Sequence, residues 1–182
     1  RIRMVYFGRF IAQKNLDHLI RAAESLPVQL VFIGDGDERE ELEHLASHLG
    51  VDVEFIRRLP QIDLAKQLRL CDCFVLPSLY EGNPKALIEV MSFGMPVLTT
   101  VLAEQAEFIE PNINCIQMTP TVEGLRTGLE TFLGLSNYQR DQLGLNAQNS
   151  IQEKHSVENI AALENSLFRD LLSDYGKVSN PL

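Results

Sequence analysis

Apolar runs of five or six residues alternate along this chain with longer amphipathic stretches, and that alternation constrains the fold more than any other feature. IRMVYF ends at Gly8 and is followed by NLDHLIRAAESL, whose apolar residues recur three and four apart, a pattern of strand, loop and helix. VQLVFI stops at GDG, and DEREELEHLASHLG then forms a helix whose acidic first turn suits the positive end of its dipole. DVEFI, IDLAKQLRLC, CFVLP, PVLTT and NCIQM continue the alternation. Short strands separated by helices at this interval imply right-handed crossovers and a parallel sheet covered on both faces. The expected fold is therefore α/β and doubly wound, with about six parallel strands flanked by helices. From Thr121 onward the pattern is purely helical: VEGLRTGLETFL, a polar helix through Lys154, and the amphipathic SVENIAALENSLFRDLL. The whole chain reads as one domain with C-terminal helices.

The 182 residues suffice to bury roughly 70% of the surface exposed by the unfolded chain. Apolar residues make up 45% and charged residues 23%, the proportions of a soluble globular protein. No apolar run approaches the roughly 18 residues of a membrane span and no signal segment opens the chain, so the cytoplasm is the expected location. A net charge of -9 argues against nonspecific nucleic-acid binding, and any anion site has to be local. Cys71 and Cys73 fall in an apolar run where alternate residues share a face, and read as a pair of core thiols. His44 and His48 have the spacing of a zinc pair but lack the HExxH context, so they read as a solvated helix face and no metal is expected.

In doubly wound sheets ligands bind beyond the carboxyl ends of the strands, so the informative loops begin at Gly8, Gly34, Arg57, Pro77 and Thr100. GRFIAQKN crowds Arg9 and Lys14 into the first loop. They are either two solvated charges or a cradle for a phosphate-bearing ligand. The dinucleotide fingerprint needs three glycines here and only Gly8 is present, which disfavours a nicotinamide enzyme. In GDG, Gly34 permits a sharp turn and also a close approach of ligand to backbone.

EGNPKALIEV follows the fourth strand and so lies at the ligand-facing edge. Asn83 suits an N-cap, Pro84 the first helical position, and Gly94 with Pro96 a stop, which predicts a helix over 84–93. Its free amides, with Lys85 in the first turn and Arg9 and Lys14 nearby, would cradle a diphosphate. Glu81 before the helix and Glu89 in its second turn could each accept hydrogen bonds from vicinal hydroxyls. Equally, Glu81 could be a loop charge and Glu89 a partner for a nearby lysine; spacing leaves both open.

GRFIAQK, GDGDEREELE and DCFVLPSLYEGNPKALIEVMSFGMPVLTT together resemble, in order, the C-terminal donor-binding domain of the group-one glycosyltransferases, family 4. The resemblance covers most of residues 2–110. It implies a Rossmann-like half of the two-domain GT-B fold and transfer of a hexose-type sugar from a nucleoside-diphosphate sugar, usually with retention. By resemblance, Arg9 and Lys14 hold the diphosphate, Glu81 the hydroxyls of the transferred sugar and Glu89 the ribose. The catalytic set is then Arg9, Lys14 and Glu81. Amides from Asn83 to Ala86, through Pro84 and Lys85, would hold sugar and phosphate; Gly8 and Gly34 would line the site, and Arg57 to Leu59 would lie near the base. No cofactor or divalent metal is implied, because these cations and the helix end stabilise the departing diphosphate. A preorganised donor of this kind is worth about 2.7 to 4 kcal/mol, so loss of Arg9 or Lys14 is expected to harm turnover more than the fold.

The sequence departs from the family pattern in three places. Arg57 stands where a glycine is common, VLAEQAEFIE replaces a glycine-rich loop before Glu107, and Cys115 replaces a glycine in EPNINCIQM. Bulkier side chains there would narrow the donor pocket or change the sugar accepted. The resemblance also implies an N-terminal acceptor domain, and a chain opening at Arg1 reads as a fragment that binds donor and transfers nothing alone. Any peripheral attachment to the inner membrane face would belong to that absent half. The competing readings are a noncatalytic nucleotide-sugar-binding or interaction module, a nonhydrolysing sugar-nucleotide epimerase and, as an outsider, a nicotinamide oxidoreductase.

Overall fold

The computed structural model describes residues 1–82, 84–101 and 107–155. Six strands form one parallel sheet: β1 (Ile2–Arg9), β2 (Val28–Asp35), β3 (Val53–Ile56), β4 (Cys73–Leu76), β5 (Val97–Thr99) and β6 (Ile116–Gln117). Their order is β3-β2-β1-β4-β5-β6. The chain therefore lays strands outward from β1 in one direction, crosses back, and continues in the other. Right-handed crossovers running in opposite directions place their helices on opposite faces of the sheet. The expected doubly wound, Rossmann-like layer is the one observed.

The helices are α1 (Leu16–Ala22), α2 (Arg39–Leu49), α3 (Gln61–Leu68), α4 (Lys85–Ser92), α5 (Val122–Gly134) and α6 (Asn137–His155). α1 packs on α2 and α5, while α4 packs on α6. β4 is buried along its whole length, as a central strand covered on both faces requires. Two elements differ from the sequence reading. α3 stops at Leu68, so Cys71 lies in the following turn and not in the strand with Cys73; its thiol donates to the Gln67 carbonyl at 3.4 Å. α4 starts one residue later than expected, with Pro84 as its cap residue, and Asn83 lies outside the described residues. So do residues 102–106 and the amphipathic segment from Ser156 onward.

The carboxyl ends of β1 and β2 leave no room for side chains at their paired glycines. Gly8 and Gly34 are register partners with φ of 152° and 151°, a region that side chains disfavour. A Cβ on Gly34 would run into the Gly8 carbonyl, and one on Gly36 into the backbone of Phe10. The GDG glycines thus serve the approach of one loop to another. Beneath them Arg39 lies over the rings of Phe10 and Phe55, at 5.9 and 5.8 Å, and donates to the Gly34 carbonyl at 3.1 Å.

Gly34→Ala should destabilise the fold by about 2 kcal/mol, because the backbone must shift as well as strain. Urea unfolding checks this. The three cysteines are free, and burial pushes the Cys115 thiol up to about 12 and raises Cys73 well above its ordinary value. In the native protein a thiol reagent should therefore label Cys71 alone, and slowly, since burial raises its pKa too.

Candidate functional site

The reversal of strand order falls between β1 and β4, and the chain segments leaving these strands are stitched together. After β1 the chain makes a 3-10 turn, Ala12–Lys14, and then Asn15 at φ 56°. Asn15 is 3% exposed and donates from Nδ2 to the Pro77 and Pro120 carbonyls, both at 3.0 Å. The loop after β4 answers: the Leu79 amide donates to the Gln13 carbonyl at 2.9 Å, and Gln13 Nε2 donates to the Tyr80 carbonyl at 2.8 Å. Asn15 and Gln13 were not singled out from the sequence, where amide side chains in a loop carry no periodic signal.

This stitching sets Lys14 against Glu81. Lys14 Nζ donates to Glu81 Oε1 at 2.6 Å, and Ser78 Oγ donates to the same oxygen at 2.6 Å. The pair is largely withdrawn from water, with the two side chains 16% and 8% exposed. Arg9 is placed differently. Its carbonyl accepts from the Tyr6 hydroxyl at 2.9 Å, while its exposed side chain makes no recorded ion pair among the described residues. Burial, and next the Glu81 carboxylate, raise the Tyr6 phenol pKa against an opposing pull from Arg9, so Tyr6 remains a donor.

Arg9 borders a cavity of about 630 Å³, whose lining also includes Gly8, Gly34, Asp35, Arg58 and Glu89. Phe7, Ile33, Leu59 and Leu64 supply apolar wall, the composition of a pocket for an amphipathic ligand. Of the expected site residues, Gly8, Arg9, Gly34 and Glu89 share this hollow, and Lys14 and Glu81 form the neighbouring pair. Arg57 stands at the edge of this hollow and not in its lining. Its guanidinium is 84% exposed and lies 4.0 Å from Asp35, while Arg58 and Leu59 face the cavity. Lys85 and Ala86 head α4, and their amides have no recorded acceptor among the described residues; Pro84 accepts from Leu87 at 2.9 Å. His44 and His48 are exposed beside a separate groove between α1 and α2. Among the described residues no group of His, Cys, Asp and Glu is placed to hold a metal ion, and no helix is long and apolar enough to cross a membrane.

Strand order and hollow together define a doubly wound α/β domain with a charged cleft at the carboxyl ends of β1 and β2, reached also by Glu89 of α4. Residues 1–150 match the family model of the glycosyl transferases group 1, and the chain belongs to that family. It is 31% identical over 165 residues to an uncharacterized glycosyltransferase of Methanocaldococcus jannaschii, covering 87% of this chain and 42% of the relative. The fold is similar to that of sucrose-phosphate synthase from Thermosynechococcus elongatus, with TM-score 0.83 at 24% identity, covering 95% of this chain and 46% of that one. It is also similar to Anabaena HepE, solved in complex with UDP and glucose, with TM-score 0.79 at 23% identity, covering 95% and 48%. The chain thus spans less than half the length of each of these three proteins.

The Lys14–Glu81 pair revises the expectation that losing Lys14 spares the fold. Lys14→Met leaves a buried carboxylate with Ser78 as its recorded partner, and should lower stability by about 2 kcal/mol. Adding Glu81→Gln should restore most of that loss. Thermal melts of the two variants check the pairing.

Proposed function

We propose that this chain is the donor-binding half of a glycosyltransferase that moves a hexose-type sugar from a nucleoside-diphosphate sugar to an acceptor, with retention and without a divalent metal. The observation carrying this reading is the placement of Arg9 and Glu89 on one cavity, with Lys14 and Glu81 locked together beside it. Likeness to a protein solved with UDP and glucose supports a nucleotide-sugar donor.

In this reading the base packs against Leu59 and Leu64 near Arg58, and Glu89 accepts from the ribose. Arg9 pairs with the diphosphate, for which a guanidinium with no ion pair among the described residues is suited. Lys14 has three N–H donors; one is engaged by Glu81 and two remain for phosphate oxygens. The amides of Lys85 and Ala86 add the positive end of α4. Negative charge grows on the diphosphate as its bond to the sugar breaks, and groups fixed before that moment stabilise it without reorganising. Glu81 grips hydroxyls of the transferred sugar. The acceptor site, and closure against water, belong to the portion of such enzymes that this chain does not span.

Titration calorimetry with uridine, guanosine and adenosine diphosphate sugars should show binding of one nucleotide class. Arg9→Ala should weaken that binding about tenfold or more, with the melting temperature unchanged because the side chain forms no ion pair among the described residues. Equal affinity of variant and wild type would remove Arg9 from the site.

A further inference from the structure

Ser78 lies two residues beyond β4, is 2% exposed, and has no assigned part in donor binding. Its carbonyl accepts from Thr100 Oγ1 at 2.5 Å, and the same hydroxyl reaches the Leu76 carbonyl at 3.3 Å. Thr100 is itself 8% exposed. The backbone of Ser78 is therefore pinned from the neighbouring strand's loop, and its hydroxyl is delivered to Glu81 from a fixed point.

The consequence concerns the two oxygens of Glu81. Both recorded bonds, from Lys14 and from Ser78, fall on Oε1. Among the described residues none falls on Oε2. A carboxylate held through one oxygen by a single lysine can swing with that flexible four-carbon stem. Held through the same oxygen by a second donor on another segment, it cannot turn without breaking a short charge-assisted bond. The lone pairs of Oε2 are then kept in one direction and are engaged by no described residue.

We infer that Ser78 is a positioning residue: its hydroxyl clamps Glu81 Oε1 so that Oε2 is presented, preoriented, to hydroxyls of the donor sugar. This rests on the donor-binding reading above and adds to it the group that fixes the sugar contact. Lys14 serves the phosphate end and the pair at once, whereas Ser78 serves only the carboxylate. Its removal should therefore be felt by the sugar and not by the nucleotide.

The experiment uses the full 182-residue chain and whichever of uridine, guanosine or adenosine diphosphate it binds most tightly, as the free diphosphate and as the diphosphate glucose or mannose. Calorimetry on Ser78→Ala should show about a tenfold loss of affinity for the sugar nucleotide, with affinity for the free diphosphate unchanged. Retained diphosphate binding also certifies a folded site. An equal loss for both ligands, or no loss for either, overturns the positioning role while leaving the donor reading in place. A wild-type chain that binds none of these ligands overturns the donor reading, and this inference with it. Should Ser78→Ala fail to fold, Ser78→Cys keeps the volume and a weaker donor, and the same selective loss, smaller in size, decides the matter.

Discussion

The site depends on one topological constraint, the reversal of strand order beside β1. β1 is in register with β2 over eight residue pairs, from Ile2 opposite Val28 to Arg9 opposite Asp35, but pairs with β4 only at Met4 and Val5. The last residues of β1, from Tyr6 to Arg9, therefore have a paired neighbour on one side and an open flank on the other. That flank is where chains leaving β1 and β4 must part to opposite faces of the sheet. The cavity extends from the ends of β1 and β2, past Arg58, Leu59 and Leu64, to Glu89 of the helix that follows β4. The residues then line it: two adjacent glycines let the β1 and β2 ends approach, and Phe7 and Ile33 face the space as apolar wall.

A chain of net charge -9 has to create attraction for an anion locally. The diphosphate site proposed for it has two cations of unlike character. Lys14 is neutralised within the fold by Glu81 and acts from a fixed place, whereas Arg9 is exposed and carries its charge to the edge of the cavity. A buried pair of this kind adds little net stability, because desolvation offsets most of the Coulomb attraction. Its value lies in holding both groups in one geometry. Asp35 and Glu89 on the same cavity limit the excess positive charge there, which favours a ligand presenting hydroxyls as well as phosphate.

Much of the fold was legible because the sheet announces itself in short apolar runs between helical periods. The ends of elements were less so. β1 and β2 continue through Gly8–Arg9 and Gly34–Asp35, past the point where the apolar pattern stops, because the two glycines stay in the ladder at a positive φ that side chains disfavour. IDLAKQLRLC looked like one helix, yet α3 ends at Leu68 and a turn carries Cys71. The site was legible in its loops and not in its pairings. Lys14 and Glu81 are 67 positions apart, and no local pattern reports that they meet; nor does any period tell whether Arg57 or Arg58 turns inward. Ser78 stood inside a quoted motif without a role, since a serine after a strand reads as a turn residue until its hydroxyl partner is seen.

Packing fixes both Glu81, just before α4, and Glu89, within it. Glu81 precedes α4 and Glu89 lies four residues beyond its start, about 6 Å along the axis from Lys85. Leu87, Val90 and Met91 of the same helix are fully buried, and Glu81 is tied through Ser78 and Thr100 to the ends of β4 and β5. Both carboxylates are thus referenced to the sheet and not to a free loop. The helix acts as a spacer whose position is fixed by the core, so the separation between the two carboxylates is set by apolar packing. Changes at Leu87 or Val90 that shift α4 would move Glu89 relative to Glu81, and under the proposed reading the match to a donor would be lost while every polar residue remained in place.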